Sequence, residues 1–388
     1  MEVLVIGKPA INIYLPLQAF PQEGEIWTIT GKNESVGSVG AVSACLLAKW
    51  GIKPHYTGVV GNDAFGEKIR NVFSEYKVNT KFMETNFEHG TSTNYFILNN
   101  KTGEVTKILF NDPKVELTKF KYDFQPDWAI IDGNDTAGAM ALLNNDGKVK
   151  TIFFARQAVP NTVTLAKKCT YVVCSQGFLE GATKLTLTPE ATTEDLVTIY
   201  QKLVDVMGNS NFIVLLNSKK VLYCDENKVK MLPEMKINHA DVSSFESVFT
   251  GAFAYAMTRN VILDKAITFA NTAAAISLSK IGEEPSIPML EEVLDNSGFR
   301  DEFKMPLPDE TAQVEAVPQE EAPAAPVEET PTVDAFGQAP VGSEVVSTPE
   351  QVAAQAQPVE AVPVQETPAP APAEEVAPPP HEETNIFG

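Results

Sequence analysis

The chain is poor in the residues that build metal centres and disulfide frameworks. Its 388 residues include four cysteines and four histidines, with no C-x-x-C pair and no histidines at metal-ligand spacing. Each cysteine lies inside an apolar run, which is typical of buried, reduced thiols. We therefore predict no metal site and four unpaired thiols, at Cys45, Cys169, Cys174 and Cys224.

Long hydrophobic segments are also missing. No stretch approaches the roughly 18 uninterrupted apolar residues of a membrane span. The first residues, Met1 to Gly7, lack a basic leader and an apolar core of signal length, and they predict a buried first strand. We expect a cytoplasmic protein without a membrane partner.

Positive charge is scarce and unevenly distributed. The formal net charge is −21, and residues 305–388 hold 16 of the 51 acidic residues but no lysine or arginine. Residues 1–304 carry 35 acidic against 30 basic side chains. Because this balance leaves no basic patch for a phosphate backbone, we expect no nucleic-acid partner.

The C-terminal segment lacks the residues that form a hydrophobic core. Residues 305–388 contain 16 of the 27 prolines and no tryptophan, tyrosine or cysteine. Such a segment cannot bury enough apolar surface to offset its ordering entropy. We therefore predict a folded domain of residues 1–304 followed by a disordered acidic tail, rich in proline, alanine, glutamate and valine, over residues 305–388.

The tail contains two phenylalanines, in the similar elements Val333-Asp-Ala-Phe336-Gly337 and Thr384-Asn-Ile-Phe387-Gly388. An isolated aromatic side chain in a charged linker can anchor in a partner's pocket, and two copies permit avidity. We hypothesise that Phe336 and Phe387 dock a protein partner. Chance recurrence in a low-complexity segment is the alternative.

Before the tail, short apolar runs alternate with amphipathic segments. This alternation predicts an α/β domain, a doubly wound parallel sheet with helices on both faces. The predicted strands lie at Val3–Ile6, His55–Val60, Trp128–Ile131, Thr151–Phe154, Tyr171–Val173 and Phe212–Leu216. The predicted helices lie at Val42–Trp50, Gly66–Glu75, Phe245–Met257 and Leu263–Lys280.

Two segments break this alternation, Ile11–Thr30 and Ser92–Phe110. In both, apolar and polar residues alternate, with Asn-Asn and Thr-Gly turn signals in the second. We predict antiparallel strands here that form a small accessory sheet.

Several motifs together resemble the ribokinase-like (phosphofructokinase B) carbohydrate kinase family over about residues 1–300. Thr57-Gly-Val-Val-Gly-Asn-Asp63-Ala-Phe65-Gly66 is similar to its G-x-V-G-x-D-x-F-G signature. The runs Val248-Phe-Thr-Gly251 and Gly282-Glu-Glu-Pro-Ser-Ile-Pro288 are similar to its C-terminal motifs. For Asp63, a position near a lid and a simple turn former are both open.

The resemblance implies a sugar-binding domain with a small β lid, formed by about residues 11–34 and 87–112. It also implies a possible homodimer through the lid, for which Tyr95, Phe96 and Ile97 are suitable apolar residues.

The family's catalytic turn, D-T-x-G-A-G-D, begins a helix and supplies both the general base and the donors that hold the transferred phosphoryl group. Its counterpart here is Asp241-Val-Ser-Ser244-Phe245-Glu246-Ser247, which keeps only the first aspartate. The resemblance implies that Ser247 stands at the base position. Ser244, Phe245 and Glu246 stand at the anion-hole positions.

These replacements oppose phosphoryl transfer. An unassisted serine hydroxyl cannot accept a proton as a carboxylate does, Glu246 brings a negative charge to an anion site, and Phe245 adds bulk where glycine admits a ligand. A structural interpretation is also open, in which Ser244 is a helix N-cap and the acidic residue stabilises the first turn.

The resemblance places the sugar pocket at Asn12, Gly37 and Val42. Asn12 stands where the family has a sugar-binding aspartate, so it can still bond a hydroxyl group but carries no charge. Val42 stands where the family has an asparagine and offers no hydrogen bond. Sugar affinity is therefore an open question.

The resemblance also gives a nucleotide pocket whose glycine-rich loop is lost. The matching positions are Asn217, Lys220 and Asn271. The family's magnesium motif N-x-x-E corresponds to Ser175-Gln-Gly-Phe178. Arg156, Lys219 and Lys220 could meet an anion, or they could be ordinary surface charges.

We interpret the chain as a degenerate carbohydrate kinase, a pseudokinase that acts as a binding scaffold or regulator, and we expect no cofactor. An active sugar or nucleoside kinase with an atypical base, using ATP and magnesium, is the first alternative. A sensor that binds a sugar or nucleotide without reacting it is the second.

Overall fold

The computed structural model describes residues 1–303 except Thr30, Asn111, Thr118, Lys119, Asp146, Pro189 and Ser210. The predictions for the tail, including disorder and the docking residues Phe336 and Phe387, lie outside the described residues. They stay predictions.

Strands and helices alternate along most of the described chain. The strands are β1 (Val3–Ile6), β2 (Ala10–Leu17), β3 (Asn33–Gly37), β4 (His55–Thr57), β5 (Val59–Gly61), β6 (Glu84–Asn86), β7 (Ser92–Asn99), β8 (Val105–Leu109), β9 (Trp128–Ile131), β10 (Lys150–Ala155), β11 (Tyr171–Ser175), β12 (Phe212–Leu215), β13 (Val221–Asp225) and β14 (Lys228–Leu232). The helices are α1 (Val39–Lys49), α2 (Ala64–Glu75), α3 (Thr136–Asn145), α4 (Pro160–Lys168), α5 (Gln176–Thr183), α6 (Thr193–Met207), α7 (Phe245–Thr258), α8 (Leu263–Ser277) and α9 (Leu290–Ser297).

The main sheet has the order β14-β13-β12-β11-β10-β9-β1-β4. Strands β4, β1 and β9 to β12 are parallel, while β13 and β14 extend the sheet as an antiparallel hairpin. The chain begins inside the sheet at β1 and then adds β4 on one side and β9 on the other. Because the connections diverge there, the carboxyl ends of β1 and β9 border a crevice, the usual ligand site of such sheets. The predicted doubly wound fold is confirmed.

Two core layers cover the two faces of this sheet. In β1, Val3 and Val5 belong to one layer and Leu4 and Ile6 to the other, as the alternation of a strand requires. Helices α1, α7 and α8 cover the first face, where the Trp50 ring packs edge-on against Tyr255. Helices α3 to α6 contribute to the second layer.

The lid is a separate four-stranded sheet of order β3-β2-β7-β8. Pairs β2–β3 and β7–β8 are antiparallel, as predicted, but the central pair β2–β7 is parallel. The prediction for Ile11–Thr30 was partly wrong, because no strand lies between Leu17 and Asn33 in the described part of this segment. The second strand of that pair is β3, which ends at Gly37.

The lid residues expected at a dimer surface face opposite ways. Tyr95 is 43% exposed and pairs across the strands with Ile108, so both lie on the outer face with the half-buried Ile97. Phe96 is 2% exposed and packs edge-on against Tyr14 on the inner face. The expectation for Phe96 is therefore corrected, and the homodimer stays a prediction.

Asp63 links helix α2 to the lid. Its carboxylate accepts hydrogen bonds from the Gly66 backbone N–H at 2.8 Å, as an N-cap, and from the backbone N–H and hydroxyl of Thr91, both at 2.7 Å. Thr91 immediately precedes β7. The turn-forming and lid-positioning roles left open for Asp63 thus occur together.

The thiols of Cys45, Cys169 and Cys174 are buried, Cys224 is half-buried, and none forms a disulfide. Among the described helices, none combines the length and apolarity that crossing a bilayer requires.

Gly66 has no room for a side chain, because a Cβ atom there would lie 2.2 Å from the carbonyl oxygen of Gly61. Gly66→Ala should therefore lower the free energy of unfolding by about 1–3 kcal/mol, measured by urea unfolding. The matched control is Gly177→Ala in the first turn of α5, where the nearest atoms lie 3.6 Å away, so the stability should stay equal or rise slightly. Equal stability of the two variants would contradict the packing argument.

Candidate functional site

A cleft of about 570 Å³ opens where β1 and β9 end, between the main sheet and the lid. Lys8 follows β1, and Asp132 and Asn134 follow β9, so the sheet brings these polar side chains together. From the lid, Asn12, Ser92 and Asn94 line the same space, together with further residues that include Phe96 and Lys107.

Asp132 is the acidic residue at the floor of the cleft. Its carboxylate accepts hydrogen bonds from the backbone N–H groups of Lys8 at 3.1 Å and Asn134 at 2.9 Å. Gly7 allows this close approach, because a Cβ atom there would lie 2.3 Å from the carboxylate. Burial raises the pKa of Asp132 to about 6 despite these hydrogen bonds.

Asn12 and Gly37, two of the predicted sugar-pocket residues, are in contact. A Cβ atom at Gly37 would lie 2.0 Å from the Asn12 amide nitrogen. The Asn12 side-chain oxygen accepts a hydrogen bond from Asn94 Nδ2 at 2.9 Å. Asn12 Nδ2 and Ser92 Oγ are buried and have no hydrogen-bond partner among the described protein atoms, although both residues line the cleft. A ligand hydroxyl group could satisfy both.

Val42 does not lie where the resemblance implied. It is fully buried in α1 and belongs to the core layer beneath the main sheet's first face. Ser38 and Val39, at the start of the same helix, line the cleft instead. The helix presents its first turn to the cleft, and a residue one turn later faces the core.

Asp241 organises the turn that precedes α7. Its fully buried carboxylate accepts hydrogen bonds from the Ser243 N–H at 2.8 Å, the Ser243 hydroxyl at 2.7 Å and the Gly282 N–H at 2.9 Å. Three donors hold the carboxylate in place, and it joins the turn to the loop after α8. These contacts are those of a structural carboxylate.

Ser247 makes a local contact within the start of α7, and Ser244 contacts helix α8. The Ser247 hydroxyl, 1% exposed, donates to the backbone oxygen of Ser244 at 3.0 Å. The Ser244 hydroxyl pairs with that of Ser277 at 2.8 Å and makes no capping bond, so the N-cap interpretation of its side chain is wrong. Phe245 is buried at the helix start and packs on Phe249.

Glu246 is held by two cations. Its Oε2 atom lies 2.7 Å from Arg156 Nη1 and 3.7 Å from Lys107 Nζ. Burial alone would raise the pKa of Glu246, but the neighbouring charges of Arg156 and Lys107 outweigh burial and lower it. Glu246 is therefore an ionised carboxylate at the start of α7.

Lys107 and Tyr14 fasten the lid to this turn. Lys107, on β8, donates to the Ser243 backbone oxygen at 3.2 Å, and its ammonium lies 5.3 Å from the centre of the Phe96 ring. The Tyr14 hydroxyl pairs with that of Ser243 at 2.9 Å and accepts from the Glu283 N–H at 3.1 Å. Two lid strands thus contact the turn and the loop after α8.

Glu283 adds a buried carboxylate to the cleft. It is 5% exposed and lies 3.9 Å from Lys107 Nζ. Burial raises the pKa of Glu283 to about 7, although Lys107 and Arg156 favour its ionised form. A carboxyl group with this pKa can both accept and donate a proton near neutrality.

The predicted nucleotide residues do not form one site. Asn217 and Lys220 line a hollow of about 770 Å³ between α5, α6 and the β12–β13 turn. Asn217 also lines a second hollow of about 810 Å³ beside Arg156 and Glu246. Asn271 is buried in α8 and lines neither hollow.

The acidic groups here do not fit a magnesium nucleotide. Glu246 faces Arg156 and Lys107, and Glu283 faces Lys107, so both carboxylates point at cations of the chain. Within the described residues, no group of three histidine, cysteine or acidic side chains is arranged to hold a metal ion. We derive no reaction step through magnesium.

Sequence reasoning missed Lys8, Lys107, Asp132 and Glu283. Lys8 and Asp132 could have been found, because polar residues directly after parallel strands collect at the carboxyl edge of the sheet. Lys107 and Glu283 carried no such signal, since one is a charged residue of an alternating lid strand and the other follows a helix.

Comparison with known proteins agrees with this architecture. The family model described as pfkB family carbohydrate kinase matches residues 2–290. The chain is 23% identical over 305 residues to a ribokinase of Haemophilus influenzae, covering 75% of this chain and 96% of that protein. It is 24% identical over 311 residues to a deoxyribokinase of Salmonella typhi, covering 75% and 97%. The structure of Arabidopsis thaliana ribokinase complexed with ribose and ATP superposes with a TM-score of 0.61 at 20% identity, covering 76% of this chain and 99% of that one.

Glu283 should make stability depend on pH. Its carboxyl group keeps a proton up to about pH 7 when folded, against an ordinary pKa of 4.5, so the folded state binds more protons between these values. The free energy of unfolding should therefore fall as pH rises from 4.5 to 7, by up to about 3 kcal/mol, and this contribution should then level off.

Urea unfolding from pH 4.5 to 8 measures this effect. Glu283→Gln should remove most of the slope and leave the part below pH 6 that Asp132 supplies. Glu23→Gln, at an exposed position, should keep the wild-type slope. An unchanged slope in Glu283→Gln would show that Glu283 ionises normally.

Proposed function

Because this chain belongs to the pfkB family of carbohydrate kinases, we propose that it is a pseudokinase, a member that binds ligands without transferring a phosphoryl group. The observation that carries the proposal is the ion pair between Glu246 and Arg156 at the start of α7. A carboxylate held there repels the negative charge of a phosphoryl group. It also occupies Arg156, the cation that such a group would otherwise contact.

The position of Ser247 supports the same conclusion. Its hydroxyl is bonded to the helix backbone and is buried at the helix start. Loss of a general base removes roughly two to four orders of magnitude in rate. Loss of the donors that stabilise developing charge removes a further contribution of similar size. Both losses fall on the same turn.

Retained binding of a sugar or similar polyol is supported by a separate observation. The cleft is lined by amide, hydroxyl, ammonium and carboxyl groups, and two buried polar atoms in it, Asn12 Nδ2 and Ser92 Oγ, have no partner among the described protein atoms. Unsatisfied buried polar groups cost free energy, so a polyol that pairs with them gains affinity. This favours a sensor that binds without reaction.

One observation favours the active-kinase alternative. Glu283 is a buried carboxyl group in the cleft with a pKa of about 7, near that of an effective general base. It could replace the missing aspartate if a substrate hydroxyl group came within hydrogen-bond distance. Glu283 is therefore the residue through which this alternative is tested.

The purified full chain should form no phosphorylated product from ATP and magnesium with ribose, deoxyribose or nucleosides. Ser247→Asp alone should also be inactive, because Glu246 still pairs with Arg156. The double variant Glu246→Gly with Ser247→Asp restores both the missing base and an open anion site. Its rate of sugar phosphate formation should exceed the detection limit by about 100-fold or more.

A direct assay of sugar phosphate by mass spectrometry separates the alternatives. Wild-type turnover that Glu283→Gln abolishes would replace the pseudokinase proposal with a kinase that uses Glu283 as base. Wild-type turnover that survives Glu283→Gln would refute both assignments.

Polyol binding should raise the melting temperature of the wild-type chain, since a ligand at 100 times its dissociation constant stabilises a protein by about 2.7 kcal/mol. Ser92→Ala should weaken the affinity by about threefold to tenfold, the value of one hydrogen bond. Ser43→Ala is the matched control, because its hydroxyl is equally buried and unpaired among the described atoms but does not line the cleft. Equal affinity of the two variants, or no stabilisation by any sugar, would contradict the sensor proposal.

A further inference from the structure

Three cationic side chains surround the hollow next to the cleft. Lys107 comes from the lid strand β8, Arg156 from the loop after β10, and Lys219 from the turn between β12 and β13. They converge from three separate parts of the chain on a hollow of about 810 Å³. This convergence is set by the tertiary structure, since the residues lie 49 and 63 positions apart.

Glu246 is the carboxylate that these cations share. It contacts Arg156 at 2.7 Å and Lys107 at 3.7 Å, and the charge of Lys219 also favours its ionised form. About a fifth of the Glu246 side chain is exposed, so solvent and dissolved ions reach it from the hollow. Glu246 therefore balances the three cations only in part, and Glu283 faces Lys107 from the cleft side at 3.9 Å.

Lys107 and Arg156 line both this hollow and the cleft, whereas Lys219 lines the hollow and not the cleft. Glu104 also lines the hollow, but this residue is exposed and has no ion pair within the described part of the chain. Glu283 lies on the cleft side of Lys107 and does not line the hollow. Glu246 is thus the acidic group of the hollow that contacts its cations.

We propose that Glu246 is an internal counter-ion that occupies a binding site for a phosphate-type dianion formed by Lys107, Arg156 and Lys219. The contact is autoinhibitory, because an anion can engage the three cations fully only after the Glu246 side chain has rotated away. The proposal rests on the loss of phosphoryl transfer proposed for the same turn.

The physical basis is competition between a tethered and a free anion. A side chain fixed on the first turn of α7 has an effective concentration of roughly millimolar or more at its partners. A dianion offers more charge and more acceptor oxygens than a carboxylate, and arginine binds phosphate in a bidentate geometry. Free phosphate therefore binds the wild-type chain weakly and a chain without the Glu246 charge strongly.

Glu246→Gln tests this mechanism through thermal unfolding of the full chain. The variant should melt below wild type in chloride buffer, because Arg156 and Lys107 lose their counter-ion. Inorganic phosphate at 20 mM, compared with chloride at equal ionic strength, should raise the melting temperature of Glu246→Gln by roughly 3–5 °C and that of wild type by under about 1 °C.

Two further variants make the result specific. Glu104→Gln, which removes the same charge from the wall of the same hollow, should respond to phosphate as wild type does. Glu246→Asp keeps the charge on a shorter side chain, so its shift of melting temperature with phosphate should lie between those of wild type and Glu246→Gln. The aspartate variant replaces the glutamine variant in the test if the glutamine variant does not fold. Adding Lys219→Met to Glu246→Gln should remove most of the phosphate response.

The outcomes separate the source of the anion and the two proposals. A larger shift of Glu246→Gln with ribose 5-phosphate than with inorganic phosphate supports a phosphomonoester as the ligand, and the reverse supports the free anion. Equal phosphate responses of wild type, Glu246→Gln and Glu104→Gln would overturn the counter-ion proposal. Because the readout is melting temperature and not turnover, wild-type kinase activity would overturn the proposed function without deciding this test.

Discussion

The buried carboxylate of Asp241 is the constraint on which the site depends. It binds two hydrogen-bond donors of Ser243 and one of Gly282, so it fixes the turn before α7 relative to the loop after α8. Through Ser243 and Glu283 the same network reaches Tyr14 of the lid. A charged group buried with three donors is costly to disturb.

Glu246 sets the charge at the start of α7. Arg156 and Lys107 neutralise its carboxylate from two other elements. The chain thus supplies its own anion at this point. The neighbouring cleft has a polar lining, and Asn12 Nδ2 and Ser92 Oγ in it have no hydrogen-bond partner among the described protein atoms.

Much of the fold followed from the sequence. The apolar runs of β1, β9 and β12 predicted the parallel sheet, and the alternating segments located the lid. Both predictions were possible because the pattern of apolar and polar residues along a strand follows which of its faces are buried. The strands predicted within Ile11–Thr30 did not include β3, which begins at Asn33. The alternation of apolar and polar residues does not show where a chain turns back. Near the site, the helix start predicted at Phe245 agrees with α7, whose first turn contains Glu246 and Ser247. The expectation for Val42 was wrong, and Ser244 is the N-cap residue of α7 as predicted but its side chain makes no capping bond, because both contacts depend on which neighbour each side chain meets.

The sequence by itself determined the alternation of strands and helices and the α/β class. These properties are local, since periodicity and residue type are read over a few consecutive positions. Only the tertiary structure decided that Lys107, Arg156 and Glu246 meet, and that Glu283 is buried beside them. Long-range packing brings such residues together, and the strength and protonation of charged groups depend on that burial and on those distances.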